Sequence, residues 1–159
     1  MENRNFWKKA GVYAGFIIGA LLVGALAGFL IRDSMETYAS LNQPPLSPPG
    51  KVFPIVWGLL YLLMGIGAAR VFLTGKNGRR FALALYGVQL FFNFCWSLIF
   101  FNARMYLAAF LWLIALWALI AMMVYAFWKL DRPAGLLQIP YLLWVAFAGY
   151  LNCAVWLLN

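Results

Sequence analysis

The 159-residue chain has no histidine, four acidic residues and two cysteines, and only 10% of it is charged. Each shortage excludes something. Without imidazole, haem ligation and proton shuttling by the usual side chain are ruled out. No nucleophile–base pair, metal-ligand cluster or glycine-rich phosphate loop can be built from the residues present. Cys95 and Cys153 both fall inside apolar runs, where thiols mostly act as small packing residues, so no disulfide framework is expected. A soluble domain carries about 25% charged residues. A chain that is 66% hydrophobic and 19% aromatic cannot hide its apolar surface from water alone, and reads as one membrane domain.

Five apolar runs are present, at about Gly11–Ile31, Phe53–Leu73, Phe81–Phe101, Tyr106–Trp128 and Gly135–Leu158. Each has the roughly 20 residues that a helix needs to cross a hydrocarbon core about 30 Å thick. Backbone groups in lipid must be satisfied internally, and the period-2 alternation of a barrel is missing. The expected fold is therefore an all-α integral membrane protein, a bundle of five transmembrane helices forming a single domain over residues 1–159. The first run is too long for a signal-peptide core and lacks a convincing cleavage site, so it reads as a retained helix.

The twelve Lys and Arg residues lie at the ends of the runs and form no basic stripe interleaved with aromatics, so no nucleic-acid partner is expected. Arg4, Lys8, Lys9, Lys76, Arg79, Arg80, Lys129 and Arg132 flank one set of ends, with Arg70 a turn inside it; the other set has Arg32, Lys51 and Arg104. Nine against three places the N-terminus inside. Residues 32–52, which hold all but the last two residues of the proline-rich LNQPPLSPPGKVFP stretch (41–54), then form an outer loop.

Intramembrane charges usually mark pumps and ion-coupled carriers. Here Glu2, Asp33, Glu36 and Asp131 all lie outside the runs, which argues against proton-coupled transport. Uncharged polar groups do occur at depth. Gln89 and Asn93 sit one turn apart in the third run, with Trp96 and Phe100 on the same stripe. A carboxamide in hydrocarbon must find a helix, water or ligand partner, and an interhelical hydrogen bond is the simplest. The second run presents Trp57, Tyr61, Met64 and Ala68 on one stripe; the fifth presents Tyr141, Trp144, Ala148 and Asn152, just after Pro140. Trp7, Trp128 and Trp156 lie near run ends and suit an interfacial belt, whereas Trp57, Trp96 and Trp144 lie deeper. An inward cluster of indoles, phenols and amides suits a flat, largely apolar ligand with a few polar edges. In the first run Gly11, Gly15 and Gly19, and Ala20, Gly24 and Gly28, are spaced by four, a pattern for close helix packing within the chain or across a dimer seam.

The order of Tyr38, Leu41-Asn42, Pro44, Pro48-Pro49, Val52-Phe53-Pro54 and Trp57 resembles the first loop and second helix of the tryptophan-rich sensory protein family, which includes the mitochondrial translocator protein, or peripheral-type benzodiazepine receptor. LLYLLMG (59–65), the Gln89, Asn93, Trp96 spacing, PYLLW (140–144) and Leu151-Asn152 extend the resemblance over about residues 38–159. It implies a five-helix bundle, often a homodimer, that binds porphyrins and, in some members, cholesterol and synthetic aromatic ligands. It further implies that Trp57 and Trp144 line the porphyrin pocket beside Asn93 and Trp96, and that the loop covers the outer mouth. The candidate ligand-binding residues are Phe53, Trp57, Tyr61, Gln89, Asn93, Trp96, Trp144 and Ala148. Pro44, Pro45, Leu46, Pro48 and Pro49 are the candidate lid, read as a stiff, extended cover because proline fixes φ and disfavours helix before it.

The chain departs from the family pattern at Thr37, Gln43 and Leu46, where tryptophan, lysine and tryptophan are frequent, so two stacking surfaces and one cation are absent from the lid. Tyr150 is followed by LNCAVWLLN, without the basic residue of the family's sterol motif, and the resemblance gives no support for sterol binding. The expected function is a receptor or sensor for porphyrin-type tetrapyrroles, with no cofactor required and no metal site. A porphyrin transporter, a protein that photo-oxidises porphyrin through Trp57 and Trp144, and a bare scaffold are the alternatives. The expected partners are ligand, membrane lipid and a second copy of the chain, in a bacterial cell membrane.

Overall fold

The computed structural model describes residues 1–159 and is helical throughout, with no strand. In chain order the elements are α1 (Glu2–Ile31), a 3-10 turn (Arg32–Ser34), α2 (Met35–Ala39), α3 (Val52–Leu73), α4 (Arg79–Ser97), a π turn (Leu98–Asn102), α5 (Tyr106–Leu130), α6 (Arg132–Leu136) and α7 (Ile139–Leu158). Five helical stretches are long and apolar enough to cross a membrane, and they are the five runs seen in the sequence.

Helix α5 shows how the bundle closes. Ala109, Leu113, Leu116, Ile120, Met123 and Phe127 are all buried, and their alternating spacing of four and three keeps them on one face. That face packs against α4 and α7. Helix α1 lies along α3 and more lightly against α4. Only Ala20 and Ala27 of α1 are buried, and its Ile18, Leu22, Leu26 and Phe29 are exposed, a surface that only lipid can cover.

Close approach of α1 and α3 is made possible from the α3 side. A Cβ on Gly65 would lie 2.6 Å from the Ile17 Cα, so only glycine fits there. The evenly spaced glycines of α1 behave otherwise. Gly11, Gly15, Gly19 and Gly28 have no atom within 4 Å of where a Cβ would be, and only Gly24, against the Tyr61 ring at 2.5 Å, is in tight contact. Packing within the chain thus uses one glycine of that pattern and leaves four on open faces.

The ends of the runs differ from the sequence reading for identifiable reasons. Helix α1 begins at Glu2 and not at Gly11, because hydropathy locates the hydrocarbon, while the polar first turns are free to stay helical in water. The fifth run is not one helix from Gly135. Asp131 takes an extended conformation and its side chain accepts from the Ala134 N–H at 3.1 Å, capping α6, with Pro133 in its first turn. A break at Leu137–Gln138 follows, and α7 restarts with Pro140 in its own first turn, where a missing N–H is harmless.

The proline-rich connector is not uniformly extended. It reverses at Pro44–Ser47, where the Ser47 N–H reaches the Pro44 carbonyl at 3.3 Å and Leu46 holds a φ of 70°. Proline second and a left-handed third residue define a type II turn. A second turn, Val52 N–H to Pro49 carbonyl at 2.9 Å, leads into α3. Side chains tie the connector down. Ser34 donates to the Asn102 side chain at 2.7 Å, Asn42 and Asn159 exchange hydrogen bonds, and Tyr150 donates to the Pro45 carbonyl at 2.8 Å.

At the opposite, basic end the connections are short and also tied. Arg70 binds Asp131 through two hydrogen bonds of 2.6 and 3.1 Å. Lys76 donates to the Leu130 carbonyl at 2.6 Å and Arg79 to the Phe72 carbonyl at 2.7 Å. The turn between α3 and α4 needs glycine at Gly75 and Gly78, both at positive φ.

Candidate functional site

The polar residues at depth divide into two groups. Tyr141 of α7 is fully buried; it donates to Gln89 Oε1 at 2.7 Å and accepts from Asn93 Nδ2 at 2.8 Å. The remaining Gln89 amine lies 3.7 Å from the Met64 sulfur. One turn nearer the loop, the Trp96 indole donates to Asn152 Oδ1 at 3.1 Å, and the Asn152 amine donates to the Tyr106 carbonyl at 2.8 Å. Each amide on α4 or α7 thus binds a partner on a different helix, as backbone-poor hydrocarbon requires. Interhelical bonding, the simplest sequence reading, is what Gln89 and Asn93 do.

On the loop side of this network the helices stand apart and leave a cavity of about 420 Å³, within the range of roughly 300–1,000 Å³ for small-molecule sites. Phe53, Trp57 and Tyr61 line it from α3, Asn93, Trp96 and Ser97 from α4, and Trp144, Ala148 and Asn152 from α7. The aromatic walls brace one another. The Trp57 ring centroid is 5.9 Å from Tyr61, 6.4 Å from Trp96 and 6.2 Å from Tyr141, and Trp144 lies 6.0 Å from Phe53.

Of the eight residues read from the sequence as ligand-binding, seven line this cavity and Gln89 does not. Gln89 is fully buried behind Tyr141, its carboxamide taken up by the network. The lid residues are placed differently from expectation. None of Pro44, Pro45, Leu46, Pro48 and Pro49 lines the cavity; the connector reaches it through Met35 and Tyr38 of α2. Tyr38 packs against Phe53, Phe100 and Phe101 at 5.3–6.4 Å between centroids. The prolines instead fix the connector against the end of α7 through Pro45 and Tyr150.

Sequence reasoning missed the wall formed by α1, where Leu21, Gly24, Ala27 and Gly28 face the space. Small residues there make room without offering any chemical group, and no side-chain signal announces a void. Ser97 was also missed, although it lies one turn from Asn93.

No Asp, Glu, Lys or Arg lines the cavity. Its polar features are amides, hydroxyls and one free donor: the Trp144 indole N–H is buried and has no acceptor in the protein. Such a group weakens the fold by about 1–3 kcal/mol if it stays unpaired, and a bound molecule with an acceptor edge would satisfy it. The arrangement can hold a flat, neutral ring system by stacking and by a few hydrogen bonds. It cannot neutralise a charge at depth.

Comparison with known proteins returns one consistent answer. A profile described as the TspO/MBR family matches residues 16–157. The chain is 38% identical over 146 residues to the tryptophan-rich protein TspO of Chlorobaculum tepidum, covering 89% of this chain and 92% of that one. It is 38% identical over 135 residues to the tryptophan-rich sensory protein of Cereibacter sphaeroides, covering 85% and 84%. It is 37% identical over 147 residues to the translocator protein of Ovis aries, covering 87% of each.

Proposed function

This chain belongs to the TspO/MBR family, and from that premise we propose that it is a membrane receptor or sensor that binds porphyrin-type tetrapyrroles and related flat apolar ligands in the cavity between α1, α3, α4 and α7. It is an integral multi-pass membrane protein. The observation that carries the reading is a single uncharged space bounded by Trp57, Trp96 and Trp144, with Asn93 and the free Trp144 donor on its edge. A macrocycle would stack on the indoles. Its ring nitrogens or ester oxygens would meet the Asn93 and Trp144 groups, while ionised carboxylates would stay at the mouth, since nothing inside balances them.

The test is quenching of tryptophan fluorescence by a metal-free porphyrin in detergent, alongside haem. Trp144→Phe, Trp57→Phe and Asn93→Ala each weaken binding by about tenfold, the size of one lost stacking or hydrogen-bonding contact of about 1.4 kcal/mol. Unchanged titrations in folded protein sink the site. With no histidine in the chain, haem and the metal-free ring bind alike; a large preference for haem contradicts the reading.

A translocator function is the second reading, favoured by the name of the Ovis aries relative and by the absence of charge from the cavity. Flux of porphyrin into proteoliposomes, set against binding in detergent, separates a carrier from a receptor. The proposal also includes a bacterial cell membrane with the N-terminus inside, on the strength of the nine-to-three asymmetry of basic residues. It includes a homodimer as well, supported by the open glycine face of α1, which cysteine crosslinking at Gly15 tests.

A further inference from the structure

The cavity is not the only concavity. At the basic end an open groove of about 850 Å³ lies between α5, α6 and the turn after α3. Three cations border it: Lys76, Lys129 and Arg132. The only ion pairs in the chain are Arg32–Asp33 and Arg70–Asp131, so none of the three has a carboxylate partner. The one acid in the groove, Asp131, is already occupied by Arg70 and by the Ala134 N–H. Its negative charge is matched by Arg70, and three positive charges remain uncompensated.

The cations are held in place. Lys76 donates to the Leu130 carbonyl at 2.6 Å. The Lys129 ammonium lies 5.3 Å from the centre of the Tyr125 ring, and the Arg132 guanidinium lies 5.3 Å from that of Trp128. Tyr125 and Trp128 belong to an outward face of α5 that continues along the helix through Val124 to Ala121. Charge at the end of a span, an aromatic pair at the interface and an apolar track along the helix make one amphipathic surface.

We propose that this groove binds an anionic phospholipid, its phosphate among Lys76, Lys129 and Arg132 and one acyl chain along Val124 and Tyr125 of α5. A free phosphate would use the cations but leave the apolar track empty; a zwitterionic lipid would use the track but bring a cation of its own to three others. Charge complementarity and the track together select a lipid with a net negative headgroup. The proposal is independent of the ligand cavity.

The experiment is native mass spectrometry of the full chain in detergent, titrated with phosphatidylglycerol or with phosphatidylcholine of the same acyl chains. Phosphatidylglycerol binds up to about a hundredfold more tightly, since each of three basic residues near an anionic headgroup is worth roughly fivefold. K129Q/R132Q, which keeps the Lys76–Leu130 contact, loses most of that preference with helicity and melting unchanged, and K76Q/K129Q/R132Q loses all of it with helicity unchanged. R4Q/K8Q/K9Q, which removes three charges from the same end, retains the preference. Excess inorganic phosphate leaves the lipid bound. Equal affinity for the two lipids, an unaltered preference in K76Q/K129Q/R132Q, an equal loss in R4Q/K8Q/K9Q, or full displacement by inorganic phosphate would each overturn the assignment.

Discussion

The two halves of the bundle are built from the same apolar and aromatic residues and reach opposite states. In the basic half three glycines at helix contacts meet backbone or a fixed side chain, Gly65 against Ile17, Gly67 against Gln138 and Gly135 against Trp128, each with no room for a Cβ, while Gly11 and Gly15 face outward with nothing within 4 Å. In the loop half Gly28 and Gly58 face nothing within 4 Å, and both line the cavity. A small residue therefore closes a bundle only when something rigid advances into the space it leaves. In the loop half the neighbours are indoles and phenols that brace against one another, hold the helices apart, and turn the same small residues into empty volume.

The sharpest way to break this comparison is to crowd the tight half. Gly65→Leu would place a side chain against the Ile17 Cα and N at 2.6 and 2.9 Å and the Phe16 carbonyl at 2.9 Å. Backbone atoms cannot rotate away, so α1 must lift off α3. We expect a loss of about 3 kcal/mol or more, at the top of the range for overpacking, read as a large fall in melting temperature in detergent or as absence of folded protein. Wild-type melting would show that α1 is not seated on α3 through this glycine.

The spans and part of the cavity wall were readable in the sequence; the contrast between a close-packed and a hollow half was not. The five spans were legible because hydrocarbon thickness fixes how many apolar residues a crossing needs. Their ends were not, since hydropathy reports solvent and says nothing of hydrogen bonding: the helical turns before Gly11 and the break at Leu137–Gln138 both lie outside what it senses. The site was legible where a group was unusual for its depth, as with Trp57, Asn93, Trp96 and Trp144. It failed for Gln89, whose spacing gives its helix face but not that Tyr141 stands in front of it. It failed for the lid because the four prolines of the connector are conspicuous, whereas the residues that reach the cavity, Met35 and Tyr38, belong to a short helix with no mark of its own.

The seam between the halves is the Gln89–Tyr141–Asn93 network, and Tyr141→Phe tests whether it holds α4 to α7. The hydroxyl is the only donor to Gln89 Oε1, and removing it leaves that oxygen buried and unpaired. The expected loss is about 1–3 kcal/mol. Gln89→Leu combined with Tyr141→Phe should recover part of the loss, because it removes the Gln89 orphan and leaves only the Asn93 amine without its Tyr141 acceptor. A double variant worse than the single one would mean that the two side chains are not coupled.

The halves also differ in their response to acid. Arg70 hydrogen-bonds the Asp131 carboxylate and holds its pKa below the usual carboxylate value. A depressed folded pKa gives stability that is fully present above the unfolded value of about 3.9 and is lost as pH falls through the lower folded value. Melting temperature should therefore drop as pH falls below about 4. Asp131→Asn should flatten that slope and lower stability at neutral pH by about 1 kcal/mol, since the pair is part-exposed and screened. The cavity contributes nothing to the slope, having no Asp or Glu in its wall. An undiminished slope in Asp131→Asn would mean that the Arg70–Asp131 pair is not the source of the acid sensitivity.

The smallest effect is the most informative about the hollow half. Gly28→Ala adds a methyl group where nothing lies within 4 Å, and alanine favours helix over glycine by up to about 1 kcal/mol. The variant should melt slightly higher than wild type. Gly24→Ala, one turn away on the same wall, puts its Cβ 2.5 Å from the Tyr61 ring; because that ring borders the cavity, it can swing into the void, and the penalty should stay well below that of Gly65→Leu. Opposite signs at Gly28 and Gly24, both small beside Gly65, would fit a wall that faces empty space and is braced only by aromatics. Should Gly28→Ala destabilise as Gly65→Leu does, the space would already be filled in the membrane, and the two halves of the bundle would be equally close-packed there.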